Sequence, residues 1–158
     1  MKNLLVAFLA IAIIFTSCEK EDEPTTTTTS TTTTTTTNTN FAFSCKIDGV
    51  DFTDNNPVAT ILSPNTLNIV ASNGSDEVII YIYNIDNTSL GEEISLASTS
   101  NRVYVNLGAD YYSNNISGKL IFSKTGNPVS GIFDAQGTNL ETFQSITITD
   151  GEFINVAY

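Results

Sequence analysis

Phe41-Ala42-Phe43-Ser44-Cys45-Lys46-Ile47, followed at once by Asp48-Gly49, alternates large apolar side chains with small or polar ones. A strand sends successive side chains to opposite faces, so this pattern puts Phe41, Phe43, Cys45 and Ile47 on one buried face. Asp-Gly then supplies the left-handed backbone of a two-residue hairpin turn, with Val50–Thr53 as the return strand. Cys45 falls in the apolar set and reads as a weakly polar core residue.

The same alternation continues to the C-terminus. It predicts further strands at Val58–Leu62, Thr66–Ala71, Val78–Asn84, Glu93–Ala97, Arg102–Leu107, Ser117–Ser123, Val129–Ala135, Phe143–Thr149 and Glu152–Ala157. Turn chemistry separates them at Pro64-Asn65, Asn73-Gly74, Asp86-Asn87, Gly91, Thr125–Pro128 and Asp150-Gly151. No long window carries a helical apolar stripe. The expected fold is therefore all-β: a single antiparallel β-sandwich or partly open β-barrel of about 9–10 short strands. In the strand from Val78, the residues Val78, Ile80 and Ile82 share one face, while Ile79, Tyr81 and Tyr83 share the other. The tyrosine face is either the outer side or a second buried layer.

Upstream of this domain, which spans residues 41–158, the chain changes character. Lys2, an apolar run over Leu4–Phe15 and small Thr16-Ser17 lead to Cys18. A run of this length is too short to span a bilayer core of ~30 Å as a helix, and it reads as a signal peptide over residues 1–17. Phe15-Thr16-Ser17-Cys18 resembles the bacterial lipobox, which makes Cys18 the expected lipidation site. Phe15 stands where Leu is usual. Glu19-Lys20-Glu21-Asp22-Glu23 resembles the export signal of Bacteroidota lipoproteins and implies transport to the outer face of the outer membrane. Thr25–Thr37, interrupted by Ser30, cannot bury a core. Residues 18–40 thus comprise the lipidated Cys, the acidic motif and a disordered Thr-rich linker. Residues 19–40 reach about 70 Å when fully extended.

Cys45-Lys-Ile-Asp-Gly-Val-Asp-Phe52, Ser117-Gly-Lys-Leu-Ile-Phe122, Val129-Ser-Gly-Ile-Phe133 and Ile148-Thr-Asp-Gly-Glu-Phe153 resemble a family of Bacteroidota surface lipoproteins with a C-terminal domain of unknown function. The resemblance spans residues 41–158. It implies a β-rich exported domain and carries over no functional residue.

The chemistry available is narrow. His is absent, which removes most nucleophilic triads and the commonest zinc ligand. No Gly-rich loop opens a helix for phosphate binding. Glu92 and Glu93 are adjacent on a strand and face opposite ways, so they cannot flank one glycosidic bond. Catalysis and a resident cofactor are not expected. After Cys18 the chain has 17 acidic residues against five basic ones, a net charge of −12. Such a surface repels nucleic acid and anionic headgroups. Asp48, Asp51 and Asp54 cluster around the first hairpin and form a weak calcium candidate, because oxygen-rich loops suit hard cations but also serve turn geometry. Tyr111-Tyr112, in a stretch without alternation, is the candidate ligand loop, since glycan and peptide sites use exposed aromatic platforms. The functional expectation is a non-catalytic binding or adhesion module, held to the membrane by its N-terminal lipid. Its ligand would be a glycan, a peptide or an envelope protein. A structural accessory subunit is the alternative, and a small carboxylate hydrolase is a third.

Overall fold

The computed structural model describes residues 41–158. Eleven strands run in the order β1 Phe43–Ile47, β2 Val50–Asp54, β3 Val58–Leu62, β4 Thr66–Asn73, β5 Asp76–Tyr83, β6 Glu93–Ser95, β7 Arg102–Leu107, β8 Asp110–Tyr112, β9 Asn114–Lys124, β10 Val129–Thr138 and β11 Ser145–Val156. A single 3₁₀ turn, Ile85–Asn87, lies between β5 and β6. The strands form a six-stranded sheet, β2-β1-β11-β10-β9-β6, and a five-stranded sheet, β3-β4-β5-β7-β8. All pairings are antiparallel. The two sheets pack face to face without closing, so of the two expected architectures the protein is the sandwich.

The core sits between them, and each sheet fills it differently. The six-stranded sheet sends in aromatics: Phe43, Phe52, Phe122, Phe133 and Phe153 are all buried. Their rings meet at 5.5–6.4 Å between centroids, mostly tilted or edge-on. The five-stranded sheet answers with branched aliphatics, namely Leu67, Ile69, Val78, Ile80, Ile82, Val103 and Val105. Burial of each such side chain contributes about 1.5–3 kcal/mol. Cys45 lies in this core as the alternation predicts, and desolvation pushes its thiol up to about 12.

The first hairpin forms as read. Ile47 pairs with Val50, and both turn residues have positive φ, 49° at Asp48 and 83° at Gly49. The Asn73-Gly74 turn likewise joins β4 to β5, with Asn73 opposite Asp76.

Two local expectations are corrected. Asp150-Gly151 does not separate two strands: β11 is one strand of 12 residues running through it. Asp150 has φ 53°, and two residues of β11 there oppose one residue of β1 and one of β10. This is a bulge, for which Asp tolerates the left-handed conformation. Gly151 is required next to it, because a Cβ there would lie 2.5 Å from the carbonyl oxygen of Phe133. The other correction concerns residues 108–115, which are not a loop. Gly108-Ala109 is a tight turn, and Asp110–Tyr112 pairs with β7 as the edge strand of the smaller sheet.

Candidate functional site

The outer face of the five-stranded sheet is where this chain gathers exposed chemistry. Alternation sends Arg102, Tyr104 and Asn106 of β7 outward, because Val103 and Val105 point into the core. Ile79 and Tyr81 of β5 emerge by the same rule, so the tyrosine face of that strand is the outer one. On β8 the two tyrosines divide: Tyr112 is buried in the core, while Tyr111 is 46% exposed. The expected Tyr111-Tyr112 platform is therefore corrected to one exposed ring and one structural ring. Adjacent strand residues cannot present both rings to one ligand.

Antiparallel register then assembles side chains distant in sequence. Asn68 of β4 pairs with Tyr81, and Tyr81 pairs with Arg102. Tyr104 packs edge-on against Tyr81 at 5.4 Å and stacks on Tyr111 at 5.5 Å with 25° between ring planes. The Arg102 guanidinium lies 5.1 Å from the Tyr104 ring centroid and 5.8 Å from that of Tyr81. Such cation–π contacts contribute about 0.5–2 kcal/mol each and hold the side chain in one conformation before any ligand arrives. The result is a ladder of three tyrosines with a guanidinium set among them. Burial chiefly, and the neighbouring Tyr104 and Tyr81 hydroxyls next, raise the Tyr111 phenol above its ordinary value, with Arg102 opposing them.

Two buried polar atoms on this face have no hydrogen-bond partner: Asn68 Oδ1, an acceptor, and Arg102 Nε, a donor. Buried polar groups are almost always satisfied, so an orphaned pair in one cross-strand row is unusual. The other cations among the described residues are engaged. Lys46 pairs with Asp150 at 2.9 Å, Lys119 with Glu93 at 3.8 Å, and Lys124 donates to Asn155 at 3.0 Å. The Asp150 hydrogen bond raises the Lys46 ammonium pKa. Among the described residues no carboxylate pairs with Arg102.

Two hollows flank the ladder at the β8 edge. One, of about 240 Å³, has Arg102, Ser98, Thr99 and Asn115 in its wall. The other, of about 310 Å³, is bounded by Tyr111, Asp110, Leu140 and Glu141. Ser113 lines both. Local hydrogen bonds shape their walls. Asn115 Oδ1 accepts from the Val103 N–H at 2.9 Å, where β8 is too short to do so. The buried Asn139 accepts from the N–H groups of Glu141 and Thr142 at 2.8 and 3.1 Å, fixing the loop that carries Leu140.

The acidic first hairpin has a structural use for most of its carboxylates. Asp48 accepts from the Thr147 N–H at 2.8 Å. Asp54 accepts from the N–H groups of Asn56 and Ser72, both at 2.8 Å, the second tying β2 to the opposite sheet. Asp51 lies opposite Lys46. Among the described residues no three Asp, Glu, His or Cys side chains converge as a metal site. Cys18, expected to carry the lipid, and the expected export motif Glu19, Lys20, Glu21, Asp22 and Glu23 lie outside the described residues, as does the Thr-rich segment.

Arg102, Tyr104 and Asn68 were not singled out by the sequence. The alternation of Arg102-Val-Tyr-Val-Asn106 places the first two on an outer face, but only the cross-strand register shows which residues they meet.

Fold and face together define a β-sandwich domain with an aromatic–arginine ladder on one sheet. The chain belongs to the family described as domain of unknown function (DUF6252), whose model matches residues 38–157. No curated protein and no solved structure matches.

Proposed function

We propose that this protein is a non-catalytic binding module, anchored by lipid at Cys18 to the outer membrane and displayed outside the cell, which captures an extended polymer along the Tyr81–Arg102–Tyr104–Tyr111 ladder. The observation that carries the reading is the ladder itself. Its partly exposed rings are packed against one another, and its cation has no carboxylate partner among the described residues. Rings offer large contact area at low entropic cost, and a pre-ordered guanidinium gives polar specificity. Open, shallow hollows beside an exposed ladder suit a chain-like ligand better than an enclosed small molecule. Nucleic acid is a poor fit despite the rings, because a chain with a net charge of −11 repels phosphates.

Arrays of polysaccharides and matrix proteins, probed with wild type and a Tyr104→Ala/Tyr111→Ala double variant, test this. Binding to at least one polymer that falls about tenfold or more in the variant is expected. Binding that ignores the variant removes the ladder as the site, and the absence of any bound polymer removes the function.

A second reading, an accessory subunit of an envelope complex, draws support from the other sheet's outer face. There Ile121 and Ile132 line a hollow of about 370 Å³. Crosslinking in intact cells through a photoreactive group at Ile132 tests it; recovery of the chain alone would count against it.

A further inference from the structure

We infer that the polymer is a predominantly neutral polysaccharide carrying spaced carboxylates, and that Arg102 reads the carboxylate while Tyr111 stacks a neutral sugar. The inference rests on the binding reading above and narrows it to one ligand chemistry. Its first support is the Arg102 guanidinium itself, which lines one of the hollows and has no carboxylate partner among the described residues. An acidic sugar supplies that partner, and the planar fork of the guanidinium matches a carboxylate.

The contrast in charge between the two hollows supplies the second support. The Arg102 hollow is otherwise lined by neutral side chains such as Ser98, Thr99 and Asn115. The Tyr111 hollow instead contains Asp110 and Glu141. A carboxylate is thus attracted at one hollow and repelled at the other. Hydroxyl groups fit the second hollow, because a carboxylate accepts from two neighbouring hydroxyls while the ring packs on Tyr111. A uniformly charged polyuronate would place like charge against Asp110 and Glu141, which argues for acidic units set among neutral ones.

Peptide is disfavoured by the same geometry. An extended peptide gains affinity by adding to a sheet edge, and β8 offers an edge of only three residues, Asp110–Tyr112.

Glycan arrays in which fragments of hyaluronan, glucuronoxylan, gellan and polygalacturonate are printed beside their carboxyl-reduced forms provide the test, with the full-length protein in detergent as probe. At least one fragment with spaced uronates is expected to bind, to weaken about tenfold or more on carboxyl reduction, and to exceed polygalacturonate. Arg102→Gln should bring the native and reduced forms to equal affinity. Arg102→Lys should recover part of the difference, since it keeps charge and loses the planar fork. Thermal melts of both variants report folding separately. Equal binding of native and reduced fragments overturns the role of Arg102 while leaving the binding module intact. Capture of proteins alone overturns the polysaccharide and keeps the module. No bound polymer of either kind overturns both.

Discussion

At the scale of single residues, neighbouring positions in this chain do unrelated work. Tyr112 fills the core and Tyr111 faces outward, although one peptide bond separates them. Tyr112→Ala should therefore lower stability by about 3 kcal/mol through a cavity. Tyr111→Ala should cost clearly less, because about half of that side chain is already in solvent. Urea unfolding of the two variants measures the contrast; similar losses would contradict the assigned orientations. Cys45 is the other informative residue. Its thiol stays protonated in the folded state up to about 12, against an ordinary value of 9.0. The folded state thus retains a proton that the unfolded chain releases as pH rises above about 9. Its contribution is fully present below that value and is lost progressively toward about 12. A Cys45→Ala variant should show a shallower fall in stability over this window than wild type, and the native thiol should resist alkylating reagents until the protein unfolds.

At the scale of elements, β11 is the organising strand. It lies between β1 and β10, and its bulge at Asp150 lets a strand of 12 residues follow the curvature of both neighbours. A second bulge near Asn155 is held by the Asn155 N–H donating to the buried Ser130 hydroxyl at 2.8 Å. Gly151→Ala should cost about 1–3 kcal/mol or more, because its Cβ would collide with the Phe133 backbone and ring. The melting temperature reads this directly, and an unchanged value would contradict the bulge. The sequence shows the period-two pattern break at Asp150-Gly151, but a turn and a bulge break it in the same way. The partner strands distinguish them: β1 and β10 both continue past the break. The β7–β8 hairpin is illegible in the sequence for a related reason. Three residues are too few for alternation to register, although Gly108 marks the turn.

At the scale of the whole molecule, the proposed surface display joins a lipid at Cys18 to a domain that begins near residue 41. Lys20 stands between them, so trypsin added to intact cells should release the sandwich into the medium as a fragment starting at Glu21. Retention on intact cells, with release only after detergent lysis, would place the domain inside the outer membrane. The outer faces of the two sheets differ in kind, the smaller carrying the tyrosine–arginine ladder and the larger an isoleucine-lined hollow with Lys119, Asp134 and Glu152. Such a division lets one face hold a ligand while the other remains available to a neighbour.

The sequence alone determined the fold class, most strand positions, the inward set Phe43, Cys45 and Ile47, and the outer placement of Tyr81 as one of two options. These follow from alternation and turn chemistry, which act over a few residues. Tertiary structure decided between sandwich and barrel, converted Asp150-Gly151 from turn to bulge, and separated Tyr111 from Tyr112. It also brought Asn68, Tyr81, Arg102, Tyr104 and Tyr111 onto one face. That face depends on register between strands far apart in the chain, and a single-residue slip would turn every one of these side chains to the other side.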